Sequence, residues 1–239
     1  MSDNAPPDSA AKAPRQLTPT GAIMLACFVG LYALFLANRF ANLLPDTTSL
    51  DAALAIAALA ASIATLSPPL ATTNVLLAAF LAAVIGGIAV ATSSVTGYPF
   101  GQMDFMPAAG PRLLGLIPWW LPAVWAAIAL SSRGAARFLL YSTHGHSHHG
   151  YQVIAAATGM AMLSTHALHS FATHATRYWK PAMTDSLFFS SGHVLHLFIQ
   201  IAITALLIDK FPGPRRRNYR PLIVWLGINS ALAAGIFIT

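Results

Sequence analysis

The sequence has few charged residues, a single cysteine and no glutamate. Charged residues make up 8% of its 239 positions and apolar residues 56%, whereas an ordinary soluble domain is roughly a quarter charged. This composition excludes a soluble enzyme. The one cysteine, Cys27, excludes an intramolecular disulfide bond. The net charge of +6 could attract a nucleic acid, but basic residues in so apolar a chain usually mark cytoplasmic loops, and we predict no nucleic-acid partner.

Seven apolar stretches are close to the length needed to cross a lipid bilayer. A helix that crosses a hydrocarbon core of about 30 Å needs about 20 mostly apolar residues. The stretches cover residues 21–38, 51–67, 70–92, 113–132, 152–174, 187–209 and 221–239. They predict an all-α integral membrane protein with about seven transmembrane helices, in one domain over residues 21–239. Residues 1–20 are rich in Pro, Ala, Ser and Asp and predict a disordered tail.

Lysines and arginines indicate the orientation of these helices, because short cytoplasmic loops carry an excess of them. With the N-terminus inside, nine basic residues lie on the cytoplasmic side and four on the outer side. The nine are Lys12, Arg15, Arg133, Arg137, Lys210, Arg215, Arg216, Arg217 and Arg220, and the four are Arg39, Arg112, Arg177 and Lys180. We therefore predict a cytoplasmic N-terminus, an external C-terminus and a place in a bacterial inner membrane, in contact with its lipids.

All nine histidines lie between His144 and His196, and four of them fall inside two consecutive predicted spans. His166 and His169 form one pair, and His193 and His196 form the other. Residues three apart share one face of a helix. At about 1.5 Å of rise per residue, all four lie roughly 7 to 13 Å below the same membrane surface. The two pairs are therefore level, and we expect them to be able to meet.

Three interpretations of these four histidines remain open. Neutral imidazole is a common ligand of metal ions and of haem iron, so the pairs could hold one or two metal ions, or ligate a haem or chlorophyll. They could instead hydrogen-bond to neighbouring serines, threonines and carbonyl groups and pin the helices together, or they could handle protons.

A second histidine cluster lies in the loop between the fourth and fifth predicted spans. Its sequence, HGHSHHG, contains His144, His146, His148 and His149. The predicted topology puts this loop on the cytoplasmic side, most of a bilayer away from the buried pairs. We interpret it as a solvated loop with incidental affinity for metal ions.

The loop between the third and fourth spans carries a recognisable pattern. TGYPFG at 96–101, followed by GPRLLGLIPWWLPAVW at 110–125, resembles the membrane carotenoid biosynthesis proteins, which include the bacterioruberin-type and gamma-carotenoid hydratases. The resemblance is specific over 96–125 and weaker over the helix order and the RYW of 177–179. Those proteins add water across the terminal double bond of a linear carotenoid, so an apolar polyene ligand is implied. The binding residues implied are Thr96, Gly97, Tyr98, Pro99, Phe100, Gly101, Trp119 and Trp120.

Hydration of an isolated alkene needs an acid, because a carbon atom must be protonated to give a tertiary cation. The resemblance implies acids at the positions of Val90, His166 and Ser170, and none of these residues is a carboxylate. Asp104, which follows the TGYPFG turn, is therefore our candidate catalytic acid, and the alternative is that it is simply an exposed loop residue. Asp185 is the other carboxylate considered on the outer side, and His166 is the second catalytic candidate.

Three functions remain open from the sequence. The first is a carotenoid-modifying enzyme of the hydratase type, a lyase. The second is a non-catalytic subunit that binds a carotenoid, haem or chlorophyll-type pigment in a larger photosynthetic or respiratory membrane complex. The third is a metal-dependent membrane oxygenase that uses the four buried histidines. We favour association with a carotenoid and leave catalysis open.

Overall fold

The computed structural model describes residues 18–41, 43–44, 47–68, 70–143, 148–181, 185–207 and 218–237. Within these ranges the chain is mostly α-helical, and the all-α prediction is confirmed. Residues 1–17 of the predicted tail lie outside the described ranges, as do His144 and His146 of the loop cluster. The side chain of Asp185 is likewise outside the described part.

Seven long α-helices occur in the described residues, and each lies on one of the seven predicted spans. In chain order they are α1 (Pro19–Ala41), α2 (Thr48–Leu66), α3 (Thr72–Thr96), α4 (Leu121–Leu139), α5 (His149–Ser170), α6 (Asp185–Thr204) and α7 (Arg220–Phe237). Four short strands lie in the loops: β1 (Met103–Phe105), β2 (Arg112–Leu113), β3 (Ile117–Pro118) and β4 (Trp179–Pro181).

Four of the described helices, α1, α2, α3 and α7, are long and apolar enough to cross a membrane. The protein is therefore a membrane protein. The other three helices contain arginine, histidine, glutamine or other polar residues, which lower their hydropathy. Seven membrane crossings and the orientation of the two termini stay predictions.

The predicted start of the fourth span, at residue 113, is wrong. α4 begins at Leu121, and the residues before it form a hairpin in which β2 and β3 pair antiparallel. Gly115 lies in the turn of this hairpin with φ +74°, a conformation that glycine adopts at no steric cost. A proline in β3, Pro118, has no amide hydrogen with which to continue a helix.

Helix α4 lies at the centre of the bundle and packs against α2, α3, α5, α6 and α7. Every residue from Val124 to Ala136 is buried. Helices α3 and α4 approach each other closely because a glycine of one faces a tryptophan of the other. A Cβ on Gly86 of α3 would lie 2.5 Å from Trp125 Cγ of α4. A helix that is surrounded by other helices need not be apolar to suit lipid, and α4 accordingly carries Arg133, which donates to the Gln200 carbonyl at 3.3 Å.

One end of the bundle is covered by two loops that pair with each other. Strand β1, from the loop between α3 and α4, pairs antiparallel with β4, from the loop between α5 and α6. The Thr48 hydroxyl at the start of α2 donates to the Ala108 carbonyl at 2.7 Å and so attaches the first loop to the α1–α2 junction. We call this region, residues 97–120 and 171–181 over that junction, the capped end.

Candidate functional site

Arg39 and Asp51 meet at the capped end, where α1 ends and α2 begins. Arg39 lies in the last turn of α1 and Asp51 in the first turn of α2. The dipole of each helix favours the charge that it carries there, because cations are stabilised at helix C-termini and anions at N-termini. Arg39 Nη2 lies 3.0 Å from Asp51 Oδ2, and the two side chains are 9% and 8% exposed. The pair is therefore a buried ion pair in which Asp51 is a carboxylate.

Tyr178 adds a second hydrogen bond to the same carboxylate oxygen. Its hydroxyl donates to Asp51 Oδ2 at 2.5 Å. The loop holds Tyr178 in place, because its N–H donates to the Ala172 carbonyl at 2.7 Å and its carbonyl accepts the Met106 N–H at 2.8 Å. Burial, followed by the charge of Asp51, raises the pKa of the Tyr178 phenol well above its usual range. Tyr178 therefore keeps its proton and remains a hydrogen-bond donor to Asp51.

Two phenylalanine rings enclose Arg39. Its guanidinium carbon lies 5.1 Å from the centre of the Phe35 ring and 5.2 Å from that of Phe171. A cation over an aromatic face is attracted by the ring quadrupole, most strongly where water is excluded. Phe171 is held in turn by α7, where a Cβ on Gly235 would overlap the phenylalanine ring. These contacts fix the guanidinium group against Asp51.

An apolar cavity that is partly open to the outside adjoins this cluster, and the empty space within it and at its mouth amounts to about 590 Å³. Asp51 and Tyr178 form part of its wall, and aliphatic and aromatic residues of α1, α2, α4, α5 and α7 form nearly all of the rest. Along α2 the wall runs from Asp51 to Ala58, a distance of about 10 Å at the rise of an α-helix. Ligand sites are commonly mostly apolar with a few polar groups that fix orientation, and this cavity has that composition.

The TGYPFG turn stabilises the capped end, and Trp120 alone of the eight predicted binding residues lines the cavity. Gly97 ends α3 with φ +76°, which lets the chain reverse at that point. The Phe100 N–H then donates to Ser93 Oγ at 3.0 Å. The Phe100 ring stacks on Trp125 of α4 with 5.7 Å between ring centres. These contacts fasten the turn to α3 and α4.

The two predicted catalytic residues are not among the residues that line the cavity. Asp104 is exposed in β1, opposite Lys180 of β4. His166 is exposed on α5. Asp51, which the sequence prediction did not include, is the carboxylate in the cavity wall.

The four histidines of α5 and α6 differ in their surroundings. His169 and His196 are 5% and 0% exposed, whereas His166 and His193 are exposed. In the part of the chain that the structure describes, no group of three or more histidine, cysteine or acidic side chains is placed to hold a metal ion. A site in which all four histidines hold a metal, haem or chlorophyll therefore finds no support in this geometry.

The two buried histidines make contacts that join elements of the bundle. His196 Nε2 of α6 lies 2.5 Å from Thr165 Oγ1 of α5, and its ring stacks on Trp125 at 4.8 Å. His169 Nδ1 accepts the Trp179 indole N–H at 3.4 Å. These contacts favour the interpretation in which the histidines pin the helices together.

The cluster of Arg39, Asp51 and Tyr178 has a signal in the sequence that the prediction did not use. Arg39 follows the first predicted span and Asp51 begins the second, so opposite charges stand on either side of a short turn between antiparallel helices. Arg39 enters the sequence prediction only as a marker of topology. Tyr178 is the central residue of the RYW of 177–179, which carries part of the family resemblance.

Comparison with known proteins gives the family of the chain. Residues 49–190 match the carotenoid biosynthesis proteins, and this range contains Asp51, Tyr178 and both loops of the capped end. No curated protein and no solved structure matches the chain. Because the matched residues make up more than half of the 239 positions, the chain belongs to the carotenoid biosynthesis protein family.

Proposed function

We propose that the protein binds one end of a linear carotenoid in the apolar cavity, with the end group against Asp51 and Tyr178. The observation that carries this proposal is the composition of the cavity wall, which is apolar except for a carboxylate and a phenol at the capped end. Family membership supplies the class of ligand.

The dimensions of the cavity favour a long, narrow ligand that enters by one end. Phe28 of α1 and Ala58 of α2 line the deeper part of the cavity, about two helical turns or more from the ion pair. A polyene that placed its end group at Asp51 would lie along these helices, and the rest of its length would extend beyond the cavity.

Hydration at this site is the reaction that the family resemblance suggests. A proton adds to one carbon of the terminal double bond, the oxygen of water adds to the other carbon, and the attacking water releases a proton. A carboxylate next to the intermediate cation stabilises the cation and accepts the released proton. Asp51 is suited to this second half of the reaction.

Binding without turnover is the second candidate function, and the ion pair favours it. A carboxylate held against Arg39 at 3.0 Å is a poor donor of the first proton. Among the described residues that line the cavity, Asp51 is the only carboxylate. The protein would then hold a carotenoid pigment in the membrane, alone or as a subunit of a larger membrane complex.

Expression of the full chain in cells that accumulate lycopene tests both functions. Binding predicts that pigment co-purifies with the detergent-solubilised protein and gives it a carotenoid absorbance spectrum; a colourless preparation would overturn the proposal. Hydration predicts a product heavier by one water, detected by chromatography and mass spectrometry.

If such a product forms, two carboxylate variants identify which aspartate the reaction needs. Asp51→Asn removes the product if Asp51 acts in the cavity, whereas Asp104→Asn removes it if the loop acid is the catalyst. Pigment that still co-purifies with the inactive variant shows that folding and binding are intact. Unchanged product in Asp51→Asn would exclude Asp51 from the reaction.

A further inference from the structure

The β2–β3 hairpin at the capped end is apolar on both of its sides. On the inner side, Ile117 and Pro118 of β3 are buried. On the outer side, Leu113, Leu114 and Leu116 are exposed. A hairpin that packs one face on a protein core and turns the other face to water normally carries polar residues on the outer face. The outer side of this tip is therefore poorly suited to water.

The turn of the hairpin places a leucine where the backbone disfavours one. The Leu116 N–H donates to the Leu113 carbonyl at 3.0 Å, and between these residues Leu114 and Gly115 have φ +52° and +74°. Two consecutive positive φ angles favour Asn-Gly or Asp-Gly, because most other side chains are strained in this conformation. The Leu114 side chain is 88% exposed, so contacts within the protein offset little of that strain. We therefore expect a contact from outside the protein.

Contacts with α3 fix the level of the hairpin along the axis of the bundle. A Cβ on Gly87 would lie 3.9 Å from Ile117 Cδ1, so β3 packs against α3 at that residue. Helix α3 is long and apolar enough to cross a membrane, and Ile88, the neighbour of Gly87, is 61% exposed on its surface. The hairpin therefore lies beside a part of α3 that faces lipid.

The sequence of α3 indicates how deep this level is. Residues 75–91 are all apolar or glycine, whereas Thr92, Ser94 and Thr96 follow in the last turns of the helix. This change marks the boundary between acyl chains and headgroups near residue 92. At the rise of an α-helix, Gly87 lies about 7 Å below that boundary. The hairpin packed against Gly87 is thus at the level where the acyl chains begin.

The base of the hairpin suits the same place. Trp119 and Tyr98 are exposed at the capped end, and these two residue types are enriched where membranes meet water. The Trp119 N–H donates to the Pro111 carbonyl at 3.2 Å, and the Arg112 guanidinium group donates to the Phe105 carbonyl. Polar groups that are paired within the protein add less to the cost of leaving water.

We propose that the tip of the β2–β3 hairpin, residues 113–116, inserts into the bilayer on the capped side, at the boundary between headgroups and acyl chains. The lipid-facing surface of α3 continues onto the exposed leucines, and exposed apolar patches of this kind mark membrane contacts. Trp120 of the cavity wall follows β3 closely, so the inserted hairpin also sets the depth of this end of the cavity. The inference does not depend on carotenoid binding.

Fluorescent labels on single cysteines test the insertion in the full chain. Cys27, which is exposed, is first replaced in Cys27→Ala. Leu114→Cys is then added, labelled with bimane and reconstituted in vesicles of phosphatidylcholine and phosphatidylglycerol. Some vesicles contain a doxyl-labelled lipid, with the quencher near the top or near the end of the acyl chain, and iodide serves as the quencher in water. Leu116→Cys is the second tip variant, in case the first does not fold.

Two matched positions calibrate the measurement. Ile88→Cys lies on α3 at the level of the hairpin and reports a lipid-facing side chain. Gln102→Cys lies at an exposed polar position of the same loop and reports a side chain in water. Both carry the same label in the same Cys27→Ala background.

Insertion predicts that the label at Leu114 behaves like the label at Ile88. Its emission should shift to shorter wavelength relative to Gln102, and doxyl near the top of the acyl chain should quench it more than doxyl near the end. Iodide should quench the label at Gln102 more strongly. Emission and iodide quenching at Leu114 equal to those at Gln102 would place the tip in water and overturn the proposal. Short-wavelength emission that neither quencher changes would overturn it too, because a second copy or another protein would then cover the tip.

Discussion

Arg39 and Asp51 join the last turn of α1 to the first turn of α2, with 3.0 Å between Nη2 and Oδ2. Each charge suits the helix end on which it lies. Tyr178 links the same oxygen to the loop between α5 and α6. Two consecutive helices and a loop that is distant from them in sequence therefore meet at one carboxylate, and Asp51 forms part of the cavity wall.

Replacement of Arg39 by glutamine should lower the stability of the folded protein. Removing one partner of a buried ion pair leaves a buried charge and typically costs about 3 to 5 kcal/mol. Arg39→Lys should cost less, because it keeps the charge while losing the planar group between Phe35 and Phe171.

The midpoint of thermal unfolding in detergent measures both Arg39 changes. Arg177→Gln is the control, since Arg177 is exposed in the loop at the capped end. If Arg39→Gln unfolded at the temperature of Arg177→Gln, the ion pair would not stabilise the junction of α1 and α2.

Tyr178 should ionise at a higher pH in the folded protein than in the unfolded chain. Its pKa is raised by burial and by Asp51, so the folded protein keeps this proton at pH values where the unfolded chain, with a tyrosine pKa of about 10, loses it. The contribution to stability is complete below about pH 10 and declines as the pH rises further.

Absorbance at the phenolate wavelength measures this titration directly, by difference between the wild type and Tyr178→Phe. The difference should show a step displaced above about pH 10. A step at the usual tyrosine pKa would mean that Tyr178 is solvated and does not donate to Asp51.

The helices could be predicted from the sequence because lipid contact and burial both demand apolar residues in long runs. All seven helices lie on predicted spans for this reason. The start of α4 could not be predicted in the same way, because residues 113–118 are apolar as well but belong to a hairpin whose turn depends on Gly115. Apolarity alone does not distinguish a buried loop from a helix.

The site was less predictable than the helices. The family pattern pointed to residues 96–125, but of the eight binding residues predicted from it only Trp120 lines the cavity. Tyr178 reaches Asp51 only because β1 and β4 pair, and a contact between two loops has no local sequence period that could reveal it. The carboxylate in the cavity wall is therefore identified from the three-dimensional packing of the chain and not from a sequence pattern.

Filling the cavity should prevent pigment binding while the bundle still folds. Ala231 of α7 is 4% exposed and lines the cavity, so Ala231→Leu places a larger side chain in space that the ligand needs. Overpacking costs typically about 1 to 3 kcal/mol in a filled core, and less where a cavity receives the added atoms. Pigment that co-purifies per mole of protein is the measurement. Ala26→Leu, at an exposed position of α1, should bind pigment like the wild type; equal pigment in both variants would place the ligand elsewhere.

Replacement of Gly86 by alanine should destabilise the packing of α3 against α4. The added Cβ would lie 2.5 Å from Trp125 Cγ, so the indole must move. The Phe100 and His196 rings, which both stack on this indole, must move with it. We expect a loss of about 1 to 3 kcal/mol. Gly30→Ala is the matched control, because no atom lies within 4 Å of its added Cβ and alanine favours a helix over glycine by about 1 kcal/mol. Thermal unfolding in detergent should therefore place Gly86→Ala below the wild type and Gly30→Ala at or above it; the same midpoint for both variants would show that Trp125 yields without cost and does not hold the TGYPFG turn in place.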